Sequence, residues 1–228
     1  MLSVDKIEQI EGWLSRDIIQ LLQDLCHKRP KPSDCLEVGS WKGKSAITVA
    51  SCLGSNEYLH CIDTFTGSIE HKHLQEKINT LPDFKSNLKR YNLHDKVHIH
   101  IGTSQEHYHK IKKNSLGLIF IDGSHNFQDV LEDFQLLYDK LQIGGFVAFH
   151  DSKWLGVKRV LWNYIYPLND IGIVKRIEDT TYIQKTTHSY FYPINQLLLA
   201  IQKAKQFKKR IKRKIRKHAR QVFNINRF

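Results

Sequence analysis

Apolar positions in this chain follow a helical rhythm in some stretches and an extended one in others. Ile7, Ile10, Leu14, Ile18, Leu21, Leu22 and Leu25 recur at three- and four-residue steps, which predicts a helix over residues 3–28. Pro30 and Pro32 end it and lead into an extended apolar run, Cys35–Gly39. A helix is expected at about 44–53, a second strand over Tyr58–Asp63, a short helix over Phe84–Tyr91, and strands over Val97–Gly102 and Leu118–Asp122. Residues 64–80 carry no period and read as a loop or lid. Phe127, Val130, Leu131, Phe134, Leu137, Tyr138 and Leu141 form one stripe, so 126–141 should be helical. Gly144-Gly145 is expected to end that helix and open a fifth strand, Phe146–Asp151. A helix over Val157–Tyr166 and an antiparallel pair, Ile173–Ile177 with Tyr182–Lys185, complete the pattern.

Strands alternating with helices imply a mostly parallel sheet covered on both faces. The expected fold is α/β: Rossmann-like, doubly wound and seven-stranded, with a C-terminal antiparallel strand pair and an N-terminal helix. One domain is expected over 1–190, followed by a tail over 191–228. In the tail Ile194, Leu198, Ile201, Phe207, Ile211, Ile215, Ala219 and Val222 mark a stripe flanked by Lys and Arg, which reads as a basic amphipathic helix.

Charge changes the picture only in the tail. Lys203–Arg220 holds eleven Lys or Arg and no acid; without those eleven the formal net charge of +12 falls to +1. The basicity is therefore local and says little about the body. A cationic helix with an apolar stripe suits an anionic membrane surface, and its charge alone suits a polyanion such as RNA. No run of about 18 apolar residues is present, and the first residues lack the apolar core of a signal peptide. Cys26, Cys35, Cys52 and Cys61 have no C-x-x-C spacing and read as reduced core thiols. A cytoplasmic protein, peripheral at a membrane if the tail engages one, is the expectation.

The chemistry gathers at predicted strand ends. In a parallel α/β sheet, ligands bind at the carboxyl ends of the strands, where strand order reverses. Strand one runs into Leu36-Glu37-Val38-Gly39-Ser40-Trp41-Lys42-Gly43-Lys44-Ser45, a glycine turn opening a helix whose amides face the same spot. Its spacing, E-x-G-x-x-x-G-x-S, differs from the G-x-G-x-x-G of nicotinamide-binding folds and argues against a dehydrogenase. Strand two ends in Asp63, strand three in Gly102-Thr103-Ser104-Gln105-Glu106, strand four in Asp122-Gly123-Ser124-His125, and strand five in His150-Asp151. Packing does not ask for polar residues at five successive strand ends. Each has a plainer alternative: Trp41 as a core indole, Asp63 as a helix cap, Ser104 and Gln105 as turn residues, Asp122 and Ser124 as caps of the 126–141 helix. His98 and His100 alternate with apolar residues, as on the wetter face of an outer strand, and are assigned no metal.

On Ile10–Leu14, Leu36–Ser45, Ile62-Asp63, Gly102–Gln105, Phe120–His125, Phe146–Asp151 and Gly156–Val160, the chain resembles a bacterial family of class I S-adenosylmethionine-dependent methyltransferases. That family includes macrocin-type sugar O-methyltransferases and relatives of cephalosporin-hydroxylase proteins; the motifs are also similar to those of catechol O-methyltransferase. The resemblance covers residues 5–186 by motif order and leaves out the tail. It implies that Glu37, Gly39, Trp41 and Ser45 hold the methionine end of S-adenosylmethionine, Asp63 its ribose, and Ser104 with Gln105 its adenine edge. Asp122 borders both cofactor and reaction centre. His125 takes the place of a general base, and Asp122 and Asp151, with His150 beside them, that of ligands to Mg²⁺ or another divalent metal. Two positions depart from the pattern: His150 stands where some relatives carry an acid or small residue, and Ser152 where catechol-type enzymes have a carboxamide. Either the ion differs, or His150 is a second base, or metal is absent. The implied activity is O-methylation of a small-molecule hydroxyl, a sugar or glycolipid-type acceptor, with a homo-oligomer compatible with it. An RNA methyltransferase docked by the tail and a non-catalytic cofactor-binding scaffold are the alternatives.

Overall fold

The computed structural model describes residues 1–67 and 78–187. The basic tail and most of the 64–80 loop lie outside the described residues. The chain forms one sheet of seven strands: β1 Asp34–Val38, β2 Leu59–Asp63, β3 Val97–Ile101, β4 Leu116–Ile121, β5 Leu141–Phe149, β6 Ile171–Ile177 and β7 Thr180–Lys185. Their order is β3-β2-β1-β4-β5-β7-β6. The first five are parallel; β7 runs antiparallel to both β5 and β6. This is the doubly wound α/β fold, and its closing antiparallel pair is where the sequence pattern put it. Strand order reverses between β1 and β4, so their carboxyl ends open a crevice between them.

Helices α1 Val4–Glu8, α2 Arg16–Lys28, α3 Lys44–Ala50 and α4 Leu81–Arg90 cover one face; α6 Phe127–Leu137 and α7 Leu155–Val160 cover the other. A single turn, α5 Ser104–His107, follows β3. β1 and β4 are buried along nearly their whole length, as expected of parallel strands covered on both sides. Among the described residues no helix is long and apolar enough to cross a membrane.

Several element boundaries differ from the sequence reading. The helix expected over 3–28 is two helices, α1 and α2, joined by residues 9–15. Gly12 has φ +153°, a conformation L side chains rarely adopt, and Ser15 caps α2 by accepting from Ile18 N–H at 3.3 Å. Ile10 and Leu14 stay buried in the joining segment, so the apolar rhythm runs on through the break. The joining segment lies over the turn after β1: Lys44 Nζ donates to Gly12 O at 3.2 Å, Lys42 pairs with Glu11 at 2.7 Å, and the Trp13 and Trp41 rings meet at 5.1 Å. β5 begins at Leu141, before the glycine pair. Its register jumps from Leu116↔Leu141 to Leu118↔Phe146, so Gly144-Gly145 sits inside an irregular part of the strand. The helix expected over Val157–Tyr166 starts at Leu155 and widens into a π-helix at Leu161–Ile165.

Candidate active site

The turn after β1 is built by steric exclusion. Gly39 has φ +85°, and a Cβ there would lie 2.5 Å from Asp122 O and from Gly123 Cα. Only glycine lets the β1 and β4 turns meet this closely. Gly43, at φ +93°, starts α3.

Asp63 locks the turn from the side. Its Oδ2 accepts N–H groups from Ser40 at 2.6 Å and Trp41 at 2.9 Å, and its Oδ1 accepts Phe65 N–H at 2.7 Å. The helix-cap alternative fails, since no helix among the described residues starts here. With two amides on it, Oδ2 is filled, and Oδ1 retains one lone pair.

Glu37 lies beneath the turn, fully buried. Ser40 Oγ donates to Glu37 Oε2 at 2.7 Å, Ser45 faces the same carboxyl, and Oε1 is buried without a hydrogen-bond partner. Burial pushes the carboxyl up, against the pull of Ser45 and Ser40, and the charges of Asp122 and Asp63 add to the rise, to about 8. Trp41 stands at φ +49° with its ring against Trp13.

After β3, Thr103 and Glu106 form a capping box that holds α5 in place. Ser104 is buried and Gln105 exposed, so of the Ser-Gln pair Gln105 faces solvent.

The ends of β4 and β5 bring two acid–histidine pairs together. His150 Nδ1 lies 2.8 Å from Asp122 Oδ1, and His125 Nε2 lies 2.8 Å from Asp151 Oδ2. His150 Nδ1 is also 3.5 Å from Asp151 Oδ2, and its Nε2 is 3.7 Å from Asp179 Oδ1. Burial alone would lower the His150 pKa. Its hydrogen bond to Asp122, with the charges of Asp122, Asp151 and Asp179, outweighs burial and raises it to about 9. Burial pushes the Asp122 carboxyl up while the same bond pulls it down; imidazole is the stronger base of the two, so the shared proton rests on His150. The hydrogen bond with His125 holds Asp151 below the usual carboxylate range, against burial.

Asp122 does not cap the helix after β4. Asn126 does, accepting from Gln128 N–H at 3.4 Å, while Ser124 bonds Asp129 at 2.8 Å. Ser152 turns away from the site: its Oγ donates to Asp179 O at 2.6 Å and accepts from Thr181 Oγ1 at 2.9 Å.

Ligand atoms of Asp122, His125 and Asp151 lie within 4.8 Å of one another, as do those of His150, Asp151 and Asp179. His150 Nδ1 also reaches both aspartates, so both histidines stand beside the aspartate pair. Asp179 had no signal in the sequence: it comes from the β6–β7 turn, where Glu178-Asp179 reads as ordinary hairpin polarity.

A glycine turn at the switch point, an acid at the end of β2 and an acid–histidine cluster at the ends of β4 and β5 define a class I methyltransferase type of site. Residues 36–152, just over half of the 228-residue chain, match the methyltransferase-domain family, and the chain belongs to it. It is a methyl-transferring enzyme. Among solved structures, a protein of Corynebacterium glutamicum superposes with a TM-score of 0.64 at 15% identity, covering 82% of this chain and 91% of that one. The O-methyltransferase TomG of Streptomyces achromogenes, involved in tomaymycin synthesis and solved with S-adenosylmethionine, gives 0.58 at 18% identity, covering 76% and 81%. An uncharacterised protein of Acanthamoeba polyphaga mimivirus is 42% identical over 38 residues, which span 17% of each chain.

Proposed function

We propose that this chain is an S-adenosylmethionine-dependent O-methyltransferase acting on a hydroxyl of a small molecule, of sugar or glycolipid type, with His125 as the base. The observation that carries this reading is the His125–Asp151 pair at 2.8 Å, beside the Gly39 turn and at the switch point of the sheet.

The residues fit the donor. Glu37 offers a buried carboxyl oxygen without a partner, toward which the ammonium of a methionine moiety would be drawn. Asp63 has one lone pair left, on Oδ1, for a ribose hydroxyl, and Gln105 an exposed amide for an adenine edge. When bound, the donor supplies an electrophilic methyl group on a sulfonium. Asp151 orients the His125 imidazole and stabilises its charged form, so that the ring would take the proton of an acceptor hydroxyl. His150, charged and held by Asp122, lowers the cost of negative charge developing on the hydroxyl oxygen.

A divalent cation is a second reading, favoured by the grouping of Asp122, His125 and Asp151. Two carboxylates and an imidazole suit Mn²⁺ or Fe²⁺ better than Mg²⁺. Such an ion would polarise the acceptor hydroxyl; His125 cannot be both its ligand and the free base.

The test is methyl transfer from labelled S-adenosylmethionine to a panel of sugars, phenols, lipids and RNA, with and without chelator. Replacing His125 with Ala should leave S-adenosylhomocysteine affinity intact and cut turnover by roughly 10²–10⁴. Full turnover in that variant at neutral pH removes His125 as base. Transfer to RNA alone would shift the reading to a polyanion methyltransferase, with Lys203–Arg220 as its docking arm. The tail is proposed to hold the enzyme at anionic membrane surfaces, on the strength of its apolar stripe among eleven cations.

A further inference from the structure

Trp154 has no part in the chemistry above, yet it lies against it. Its indole stacks on the His125 imidazole with ring centroids 4.4 Å apart and planes 21° from parallel. The Trp154 backbone is fixed at both ends: its N–H donates to Asp151 O at 2.8 Å, and its C=O accepts from Lys158 N–H at 2.9 Å as the start of α7. Two residues on, a Cβ at Gly156 would stand 2.0 Å from His125 O. The loops carrying His125 and Trp154 are therefore clamped backbone against backbone, and the stack is built into the fold.

For all that, Trp154 keeps 50% of its surface exposed and Leu155 73%. An indole and a leucine left half or more in water contribute little to folding, and beside a reaction centre they form an apolar lip. The surrounding charge is acidic on balance: three carboxylates, Asp122, Asp151 and Asp179, stand against charged His150 and the nearby Lys153. An anionic acceptor is disfavoured there; an uncharged one is not.

We propose that Trp154 is the acceptor-binding wall of the site: its indole, stacked on His125, receives the apolar face of an uncharged, hydroxyl-bearing ring, with Leu155 as the outer lip. This rests on reading the site as a hydroxyl methyltransferase. Indole faces pack well on flat apolar surfaces; with one part of this indole against His125, a ring on its exposed part is held next to that histidine. Two kinds of molecule share that chemistry: a pyranose with a C–H face and a phenolic ring.

The experiment uses the full chain loaded with S-adenosylhomocysteine. Binding of methyl β-glucoside and of catechol is followed by saturation transfer from protein to ligand ring protons. Transfer to one or both probes is expected with the parent protein, and whichever responds identifies the source of the ring. Trp154→Phe should keep most of the binding; Trp154→Ala should weaken it about tenfold. Affinity for S-adenosylhomocysteine, measured by calorimetry, should be the same in all three. Equal probe binding by Trp154→Ala and parent, or no transfer to either probe in the parent, would overturn the proposal. Failure of every protein, parent included, to bind S-adenosylhomocysteine would instead overturn the functional reading beneath it.

Discussion

Replacing Asp63 with Ala should damage the protein twice, because its carboxylate serves both fold and cofactor. Three backbone amides lose their acceptor: those of Ser40, Trp41 and Phe65, now at 2.6, 2.9 and 2.7 Å. A hydrogen bond to a charged group contributes about 1.5–3 kcal/mol. Three such bonds on one carboxylate do not add, and water can reach this half-buried position once the side chain is gone. We expect unfolding stability to drop by about 2–4 kcal/mol. Asparagine keeps one acceptor oxygen and turns an amide N–H₂ toward backbone donors, so its cost should fall between those of Asp and Ala. A ribose hydroxyl would donate to the free Oδ1 lone pair, and its loss should weaken S-adenosylhomocysteine binding by about a further 1.5–3 kcal/mol, or 10- to 150-fold.

Urea unfolding followed by tryptophan fluorescence measures the first effect, and calorimetry on the folded variant measures the second. An Ala variant that unfolds within about 0.5 kcal/mol of the parent would refute the claim that Asp63 holds the turn. A destabilised variant with unchanged affinity would leave Asp63 as a turn anchor and take it out of the ribose site.

Glu37 carries a pH prediction. Its carboxyl sits at about 8 in the folded protein against an ordinary 4.5, so the fold keeps a proton that the unfolded chain releases between those values. Ligand-free stability should therefore fall as pH rises through that window, and Glu37→Gln should flatten the fall, exceeding the parent by about 2–4 kcal/mol above pH 8; parallel stability–pH curves would refute it. For the metal reading, Mn²⁺ titrated calorimetrically should bind the parent and fail to bind Asp151→Asn, and turnover indifferent to exhaustive chelation would rule that reading out. For the tail, flotation with anionic vesicles should capture the full chain but not a version ending near Tyr192, and equal capture of both would sink the membrane idea.

What the sequence could show divides along a physical line. Gly39 was legible because backbone sterics leave no other residue: a Cβ there would strike Asp122 O at 2.5 Å, and the glycine spacing records that constraint. The end of β4 was legible because Leu116–Ile121 is an apolar run, so Asp122, which follows it, stands out. The break between α1 and α2 was hidden, because Ile10 and Leu14 remain buried across it and periodicity reports burial rather than hydrogen bonding. Partnerships within the site were hidden for a different reason. Asp122 and His150 are 28 positions apart and meet only because β4 and β5 pair with Ile121 opposite Phe149. That register also decides that His125 reaches Asp151, and the β6–β7 turn then delivers Asp179 to the same cluster. Trp154 is the extreme case. It belongs to no motif, and only the approach of Gly156 to the His125 carbonyl brings its indole over the imidazole. A residue that binds a substrate through its exposed face leaves no rhythm in the chain, so residues of this kind must be sought where a loop is pinned by backbone contact yet leaves a large side chain in water.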